Sequence, residues 1–312
     1  MRNIIIDCDP GHDDVIAIMV AMAHEEVLNI LGITTVAGNQ TLDKVTNNIL
    51  KVQTLLGTNI PVSKGYDCPI VKPLEVQPLA HGETGLDGPE LPETDLKPTG
   101  LHAIEFMRRT LEEAKDKVTF VCIGPLTNMG LFLKTYPHLK DKIDCIAIMG
   151  GGIYNGNIQV KAEFNVYHDP EAAKLVFDSG VKVVMAGIEV CYSGSILLTE
   201  TERAKDGGKA SKLFYDIMQF YQGYAIRNGW DRTAIFDMTP IIWLLHPEYY
   251  VSEEREVHIE LNGEYCRGMT VVDTRGYSGQ MVNPKTVLVS VDREKFIEVL
   301  FDSLERLDKR FA

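Results

Sequence analysis

Apolar runs of strand length alternate along the first 190 residues with segments long enough to form helices. The runs contain little alternation of apolar and polar positions, which is typical of strands covered on both faces in a parallel sheet. They are IIID (4–7), LNILGITTV (28–36), VTFVCIG (118–124), KIDCIAIMG (142–150) and VKVVMAGIEV (181–190). This order predicts an α/β fold with a mostly parallel central sheet and helices on both faces.

Two regions depart from this alternation. Residues 58–100 are rich in proline and glycine and show no sustained periodicity, which is typical of a functional or covering loop. Residues 255–275 contain Asn262-Gly263, a strong turn signal, and predict a small antiparallel hairpin at the sheet edge. Since the chain contains no internal repeat and no linker, residues 1–312 are predicted to form a single domain.

Composition narrows the class of protein and its partners. The 44 acidic and 31 basic residues give a net charge of −13, and such a surface repels nucleic acid and anionic membranes. No stretch approaches the roughly 20 apolar residues of a membrane span, and the N-terminal apolar run is too short for a signal peptide. The six cysteines form no CxxC pair, as is usual for reduced thiols. We therefore expect a soluble cytoplasmic protein that binds neither nucleic acid nor membranes.

Four aspartates fall within eight residues in DCDPGHDD (7–14), directly after the first apolar run. Asp7 and Asp9 are two positions apart on an extended segment, so their side chains can point the same way. Pro10-Gly11 turns the chain, and the Asp13-Asp14 pair then falls in the first turn of the next helix. Ligands of α/β sheets bind beyond the carboxyl ends of the strands, where this segment is predicted to lie.

Four carboxylates this close together repel one another, and this repulsion must be compensated. The positive end of a helix stabilises a carboxylate by only about 0.3–1 kcal/mol, and several carboxylates about 4 Å apart repel one another by more than that. A cation should therefore lie among them, and a ligand set made only of oxygen favours a hard ion, Ca²⁺ or Mg²⁺. The alternative is that Asp13 or Asp14 caps the helix while the other carboxylates are solvated.

The segment resembles DxDPGxDD, the N-terminal signature of the inosine–uridine-preferring nucleoside hydrolase family. Further segments that resemble this family follow in order: TTVAGNQT (34–41), HGETGLDG (81–88), GPLTN (124–128), MGGG (149–152) and NIQVKAEFNVYHDPEAA (157–173). The resemblance implies a Rossmann-like fold and assembly as a homodimer or homotetramer. It also implies hydrolysis of the N-glycosidic bond of ribonucleosides to base and ribose, a reaction of purine and pyrimidine salvage.

A second resemblance points to different chemistry. A strand that ends in DxD is similar to the start of haloacid-dehalogenase-type phosphatases, in which the first aspartate is a nucleophile. In those enzymes, however, the later acidic pair lies further along the chain than Asp13-Asp14 does here.

Family resemblance to the hydrolases implies Ca²⁺ as the cofactor. Its ligands would be Asp7, Asp14, the backbone carbonyl of Thr127, and Asp237 in AIFDMTP (234–240). A water and the ribose hydroxyls would complete the shell, and Asp9 would act as the general base that takes the proton of that water. Carboxylates around the sugar would stabilise the positive charge that develops as the glycosidic bond breaks.

The same resemblance implies the substrate contacts. The residues expected to bind ribose hydroxyls are Asp13, Asn39, Asn157, Glu163 and Asn165. Met149 would either pack under the ribose or simply fill the core.

On the base side, His81 would act from a lid, or it would simply be solvated in its loop. Tyr224 and Asn228, one helical turn apart, could face the base together. Alternatively, Tyr224 belongs with Phe220 and Tyr221 to the apolar stripe of a helix.

One position departs from the family pattern. Where the family carries a histidine thought to protonate the leaving base, this chain has Phe236, which cannot donate a proton. Another group would then donate the proton, or Phe236 would stack on the base, or the protein would be a catalytically impaired nucleoside- or ribose-binding protein. His12, inside the aspartate motif, is expected to be structural.

Overall fold

The computed structural model of the protein describes residues 1–276 and 281–311. The predicted single domain also includes residues 277–280 and 312, which lie outside the described residues. Within the described part of the chain, the strands are β1 (Arg2–Cys8), β2 (Leu28–Thr35), β3 (Val62–Lys64), β4 (Val118–Cys122), β5 (Ile143–Met149), β6 (Val183–Ala186), β7 (Ile196–Leu197), β8 (Arg232–Thr233), β9 (Tyr250–Ile259), β10 (Thr270–Val272) and β11 (Pro284–Val291).

Twelve α-helices occur in the same described ranges. They are α1 (His12–Ala23), α2 (Leu42–Leu56), α3 (Pro78–His81), α4 (Ala103–Glu113), α5 (Thr127–Thr135), α6 (Phe164–His168), α7 (Pro170–Phe177), α8 (Ile188–Ser193), α9 (Lys209–Tyr221), α10 (Gly223–Arg227), α11 (Met238–Leu245) and α12 (Arg293–Arg310). Three 3₁₀ segments span Pro137–Lys142, Leu198–Ala204 and Pro247–Tyr249. None of the described helices combines the length and the apolar character that crossing a bilayer requires.

The main sheet has nine strands in the order β10-β9-β11-β6-β5-β4-β1-β2-β3. Neighbouring strands from β11 to β3 run parallel, and β9 runs antiparallel to both β11 and β10. A separate antiparallel pair joins β7 and β8. The predicted α/β class with a mostly parallel sheet is therefore confirmed.

Strand β1 shows why the apolar runs lack alternation. Ile4 and Ile6 pack into the hydrophobic cluster on one face of the sheet, while Ile5 packs into the cluster on the other face. All three side chains are fully buried, and each contributes about 1.5–3 kcal/mol of burial. Since helices cover both faces, the strand has no solvated face on which polar residues would be favoured.

Helix α7 begins with a proline and a side-chain cap. Pro170 occupies its first position, and Oδ1 of Asp169 accepts a hydrogen bond from the backbone N–H of Ala172 at 3.0 Å. The chain leaves the helix and passes through Gly180, whose φ of 80° suits glycine. The helix delivers the chain to β6, as the parallel order requires.

The region 58–100 is irregular apart from β3 and the short helix α3. It is nevertheless hydrogen-bonded to α2 and to the loop after β2. Nδ2 of Asn48 donates to the carbonyl of Thr84 at 3.0 Å, and Nε2 of Gln40 donates to the carbonyl of Glu83 at 3.1 Å. This segment therefore covers one side of the site described below.

The predicted antiparallel pair is present at the sheet edge, with Thr270 opposite Ile259. Its connection is longer than a two-residue turn. The backbone N–H groups of Asn262 and Gly263 both donate to Oε1 of Glu260, at 2.6 and 2.9 Å. A side chain therefore satisfies these groups, so the Asn-Gly pair lies inside a longer loop.

Candidate active site

Four neighbouring parallel strands end at the same edge of the sheet and place their following loops together. These strands are β2, β1, β4 and β5. The aspartate motif follows β1, Asn39 follows β2, Thr127 follows β4, and the Glu163 segment follows β5. The predicted site residues of the first half of the chain therefore converge through sheet topology.

Three carboxylates form the centre of this region. Asp13, Asp14 and Asp237 offer oxygen atoms that all lie within 4.8 Å of one another, and all three residues are buried. Asp13 and Asp14 lie in the first turn of α1, and Asp237 directly precedes α11. We call Asp13, Asp14 and Asp237 the aspartate trio.

Backbone and amide donors hold Asp14 in place. Its Oδ1 accepts from the N–H of Asp9 at 3.1 Å, and its Oδ2 accepts from the N–H of Gly11 at 3.0 Å and from Nδ2 of Asn39 at 3.1 Å. Two backbone groups of the motif and one amide from the loop after β2 thus donate to the same carboxylate. That carboxylate is fixed before any ligand arrives.

Asp9 is also fixed, but only on one oxygen. Its Oδ2 accepts from the N–H of Asn39 at 2.7 Å, whereas its buried Oδ1 has no hydrogen-bond partner among the described residues. Burying a carboxylate oxygen without a hydrogen bond lowers the stability of the fold unless a ligand or a proton binds to it. This oxygen is therefore available for chemistry.

Asp7 lies outside the aspartate trio. Its Oδ1 accepts from the hydroxyl of Thr34 at 2.5 Å and from Nδ2 of Asn128 at 2.8 Å, while the buried Oδ2 has no partner within the described ranges. Thr127, the neighbour of Asn128, begins α5, and its hydroxyl donates to Oδ2 of Asp169 at 2.7 Å. The structure thus brings Asp14 and Asp237 together and leaves Asp7 only one free oxygen for an ion.

Burial dominates the protonation of this group. It raises the pKa of Asp7 and Asp13 to about 7 and that of Asp14 to about 6. It also holds the pKa of Asp9 and Asp237 well above the usual value, and the charges of the neighbouring aspartates raise both further. A bound cation would reverse this tendency, because it stabilises the charged carboxylates.

A second polar group follows β5. Glu163 caps α6 by accepting from the N–H groups of Asn165 at 2.8 Å and Val166 at 3.2 Å. It also accepts from the N–H of Gly151 at 2.8 Å. Nδ2 of Asn165 donates to the carbonyls of Ile123 and Met149, both at 3.0 Å, and lies 3.6 Å from Sδ of Met149. Burial raises the pKa of Glu163 to about 7.

Asn157 is tied to the same segment, since its Oδ1 accepts from the N–H of Phe164 at 2.9 Å. Four of the residues predicted near the ribose are thus linked or adjacent, namely Met149, Asn157, Glu163 and Asn165. Met149 is buried among core residues while it contacts Asn165. Both of its predicted environments, core and site wall, are therefore compatible with the structure.

His12, inside the aspartate motif, is in contact with His81 from the covering segment. Nδ1 of His12 is 3.2 Å from Nδ1 of His81, and Nε2 of His12 is 2.8 Å from the carbonyl oxygen of Asp87. Both imidazoles are buried, and burial lowers the pKa of His12 to about 4 and that of His81 well below its usual value. The ring of Tyr221 lies 5.9 Å from that of His81, and its hydroxyl donates to Oδ2 of Asp13 at 3.1 Å.

The predicted base-side residues lie further out. Phe236 is half-buried, with its ring edge-to-face on Tyr192 at 5.5 Å. Tyr224 is 54% exposed and packs edge-to-face against Trp230 at 5.7 Å. Nδ2 of Asn228 donates to the carbonyl of Tyr224 at 2.8 Å, so that amide partly caps α10. A base reaching this area would meet aromatic surface and few fixed donors.

Comparison with known proteins decides the family. The family model described as inosine-uridine preferring nucleoside hydrolase matches residues 4–298. The chain belongs to the inosine-uridine preferring nucleoside hydrolase family. The predictions of this family and of a nucleoside hydrolase enzyme are thereby confirmed, and the phosphatase interpretation of the DxD strand loses its support.

Individual relatives agree with this membership. The chain is 44% identical over 306 residues to the pyrimidine-specific ribonucleoside hydrolase RihA of Escherichia coli K12, a match that covers 97% of this chain and 98% of the relative. Among solved structures, the purine-preferring ribonucleoside hydrolase from Gardnerella vaginalis matches with a TM-score of 0.92 and 28% identity, over 99% of this chain and 100% of that one. An inosine-guanosine nucleoside hydrolase matches with a TM-score of 0.91 and 29% identity, over 98% and 99% of the two chains.

Sequence reasoning about this nucleoside hydrolase missed several contacts of the site. It gave Tyr221 little weight, treated His12 as merely structural, and did not single out Thr34 or Asn128. The signals are weak. Thr34 lies in TTVAGNQT (34–41) and Asn128 in GPLTN (124–128), but neither side chain carries a charge. Their roles depend on which loops the sheet brings together, and no local pattern encodes that.

The first prediction concerns Gly11. A Cβ at this position would lie 2.5 Å from Nδ1 of His81 and 2.8 Å from Nδ2 of Asn39. Both groups are held by hydrogen bonds, so Gly11→Ala must displace them at a cost of about 1–3 kcal/mol. We expect at least a hundredfold loss of kcat/KM in a nucleoside hydrolysis assay, with a lower thermal midpoint.

A matched control is Gly229→Ala, since a Cβ there would meet nothing within 4 Å. Its φ of 72° still carries a backbone cost, so this variant reports strain without a clash in the site. Full activity of Gly11→Ala would contradict the placement of His81 over the motif.

The second prediction concerns pH and the metal-free protein. The pKa of Asp7 rises from 3.8 to about 7 on folding and that of Glu163 from 4.5 to about 7. Protonation of such groups stabilises the fold fully below the unfolded values, and this stabilisation is lost as pH rises to about 7. We expect the thermal midpoint of metal-free protein to fall by several degrees between pH 5 and pH 8, and added Ca²⁺ to restore it at pH 8.

Asp7→Asn should reduce this pH dependence, because it removes one titrating group and retains its shape. Thermal unfolding followed by circular dichroism measures both effects. A midpoint that rises from pH 5 to pH 8 in metal-free protein would show that these carboxylates are not held protonated.

Proposed function

We propose that the protein is a Ca²⁺-dependent ribonucleoside hydrolase that prefers pyrimidine ribonucleosides. Family membership and the buried aspartate trio beside Asp9 support the reaction. The preference is supported by 44% identity to a relative named pyrimidine-specific, against 28–29% to relatives whose names specify purines. The single observation that carries the proposal is the convergence of buried, unneutralised carboxylate oxygens at the sheet edge.

These residues fit a hard divalent cation. The donors are carboxylate oxygens, three of them lie within 4.8 Å of one another, and Oδ1 of Asp9 and Oδ2 of Asp7 are buried without hydrogen bonds in the described chain. We propose Asp14, Asp237, the carbonyl of Thr127 and Oδ2 of Asp7 as ligands, with Asp13 beside them. When bound, Ca²⁺ would anchor the ribose hydroxyls and make a nearby water more acidic.

Asp9 then acts as the general base. Its Oδ2 is held by the N–H of Asn39, so its unpartnered Oδ1 is the atom that accepts a proton from the attacking water. The hydroxyl adds to C1′ of the ribose as the glycosidic bond breaks and its electron pair leaves with the base. The surrounding carboxylates stabilise the positive charge on the sugar.

Glu163 and Asn165 would orient the ribose from the other side. Both are buried and fixed by backbone contacts, so they lose little freedom when they bind a hydroxyl. Asn39, which already holds Asp9 and Asp14, would connect the sugar to the catalytic carboxylates. We assign His81 as the donor of a proton to the leaving base, since Phe236 has none to give.

Phe236 favours a second candidate, a nucleoside-binding protein with impaired catalysis. Its ring packs on Tyr192 and offers an aromatic face but no acid. Such a protein would bind uridine in the presence of Ca²⁺ without releasing ribose.

The third prediction tests the proposed function. A reducing-sugar assay over uridine, cytidine, inosine, adenosine and guanosine should release ribose, fastest from the two pyrimidine nucleosides. Removal of divalent ions should abolish the activity and Ca²⁺ should restore it. Asp9→Asn should lower kcat by about 10²–10⁴-fold, because it removes the proton acceptor but preserves the shape.

Asp95→Asn, which makes the same chemical change at an exposed aspartate, is the matched control and should be fully active. Calorimetry should show that Asp14→Asn loses Ca²⁺ binding. Absence of ribose from every nucleoside would reject the enzyme, and Ca²⁺-dependent uridine binding in that case would establish the second candidate.

A further inference from the structure

The segment from His81 to Asp87 forms a closed loop of its own. The carboxylate of Asp87 accepts from the N–H groups of Glu83 and Thr84, both at 3.0 Å, and the N–H of Asp87 donates to the carbonyl of His81 at 3.4 Å. Gly82 and Gly85 adopt φ values of 78° and 84°, which allow the tight course of this chain. His81 is therefore held as part of this loop.

His12 contacts both ends of this loop. Its Nε2 is 2.8 Å from the carbonyl oxygen of Asp87, and its Nδ1 is 3.2 Å from Nδ1 of His81. The rings of Phe220 and Tyr221 stack against it at 5.1 and 5.5 Å, with interplanar angles of 9° and 16°. His12 is thus fixed in orientation by aromatic packing and by two polar contacts.

These contacts determine where the protons lie. A carbonyl oxygen can only accept, so Nε2 of His12 carries a hydrogen. With its ring hydrogen on Nε2, the neutral imidazole of His12 offers a lone pair at Nδ1. The contact with Nδ1 of His81 is attractive only if that nitrogen carries the hydrogen and donates it to His12.

A competing contact points to the other tautomer. The backbone N–H of His12 lies 3.4 Å from Nδ1 of His81, which it would reach if that nitrogen were bare. Two lone pairs would then face each other at 3.2 Å across the histidine pair. The shorter contact decides the assignment, because a 3.4 Å N–H contact is at the long limit of a hydrogen bond.

We propose that His12 is a positioning residue that fixes the tautomer and the orientation of His81, so that Nε2 of His81 delivers the proton to the leaving base. Within residues 1–276 and 281–311, this Nε2 has no hydrogen-bond partner, and it is not sealed from solvent. The inference rests on the proposed function, and it supplies the proton donor that Phe236 cannot replace.

The proton balance is complete. Burial lowers the pKa of His81 and favours its neutral form, so His81 takes up a proton from solvent at Nε2 only as negative charge develops on the leaving base, and it keeps its Nδ1 hydrogen on His12. As the bond between C1′ and the base breaks, the base receives the electron pair and the Nε2 proton. His81 returns to the neutral Nδ1–H tautomer that His12 stabilises, and the proton of the attacking water passes to Asp9.

The fourth prediction separates this role from a merely structural one by comparing two substrates. Uridine needs a proton on its leaving base, whereas 4-nitrophenyl β-D-ribofuranoside releases a phenolate that needs none. His12→Phe keeps an aromatic ring between its neighbours but removes both nitrogens. We expect the ratio of kcat/KM for uridine to kcat/KM for the nitrophenyl riboside to fall at least tenfold, mainly through kcat.

Two further variants sharpen the test. His12→Asn places an amide oxygen near the position of Nδ1 and should recover part of the ratio. Phe220→Leu disturbs the stacking on His12 but keeps both nitrogens, so its ratio should stay within about twofold of the parent.

Each outcome has a definite meaning. An unchanged ratio for His12→Phe, whether both activities fall together or neither falls, overturns the proposal while the parent enzyme still cleaves uridine. An equal fall in ratio for Phe220→Leu also overturns it, because packing would then explain the effect. A parent protein that cleaves neither substrate removes the proposed function itself, and the proposal with it.

Discussion

The burial of uncompensated carboxylates is the constraint on which the site depends. Asp7, Asp9, Asp14 and Asp237 are all buried, and no lysine or arginine is found among their hydrogen-bond partners in the described chain. Amide and hydroxyl donors satisfy some of their oxygens, but two buried oxygens stay without a partner. The fold therefore tolerates these carboxylates only with protons or with a cation, and the second choice makes them useful for catalysis.

The sheet explains how such a costly group can be held at all. β1 lies between β2 and β4, with Asp7 opposite Thr34 and Cys122. A strand in the middle of a parallel sheet is among the most rigid elements of a domain, and the loop after it is anchored by the strands on each side. The repulsion within the aspartate trio is thus resisted by the packing of two hydrophobic clusters. The free energy gained by packing the core thus offsets the repulsion between the carboxylates of the site.

Rigidity differs between the two halves of the site. The part proposed to bind the ribose is built from a strand end, two helix N-termini and capped polar residues, so its geometry is set by regular structure. The part proposed to face the base is built from a loop, the short helix α10 and exposed aromatic rings such as Tyr224. Loops tolerate substitution better than strands do. Family members can therefore share one sugar chemistry while they differ in the base that they accept.

The sequence predicts the regular elements of the site better than its loops. The DxDPGxDD motif and the alternation of elements predict the sheet and the edge at which the aspartates converge, because these are local signals. Contacts between distant residues are not encoded locally: His12 and His81 are 69 positions apart, and Tyr221 and Asp13 are 208 apart. The length of the β9–β10 connection is likewise not predictable from the local sequence. It depends on the Glu260 side chain, which accepts hydrogen bonds from the backbone N–H groups of its own loop.

Replacement of a histidine by Phe236 is best understood through the chemistry of the leaving group. Uracil departs with negative charge shared between a ring nitrogen and two carbonyl oxygens, so one well-placed donor meets most of its need for protonation. Catalysis by a general acid is worth about 10²–10⁴-fold, and a second acid beside the first adds little once the base is protonated. With His81 as the proposed proton donor, Phe236 is free to make an aromatic contact instead. The proposed hydrolysis would then tolerate the loss of the second histidine, because one donor meets the need of the leaving base.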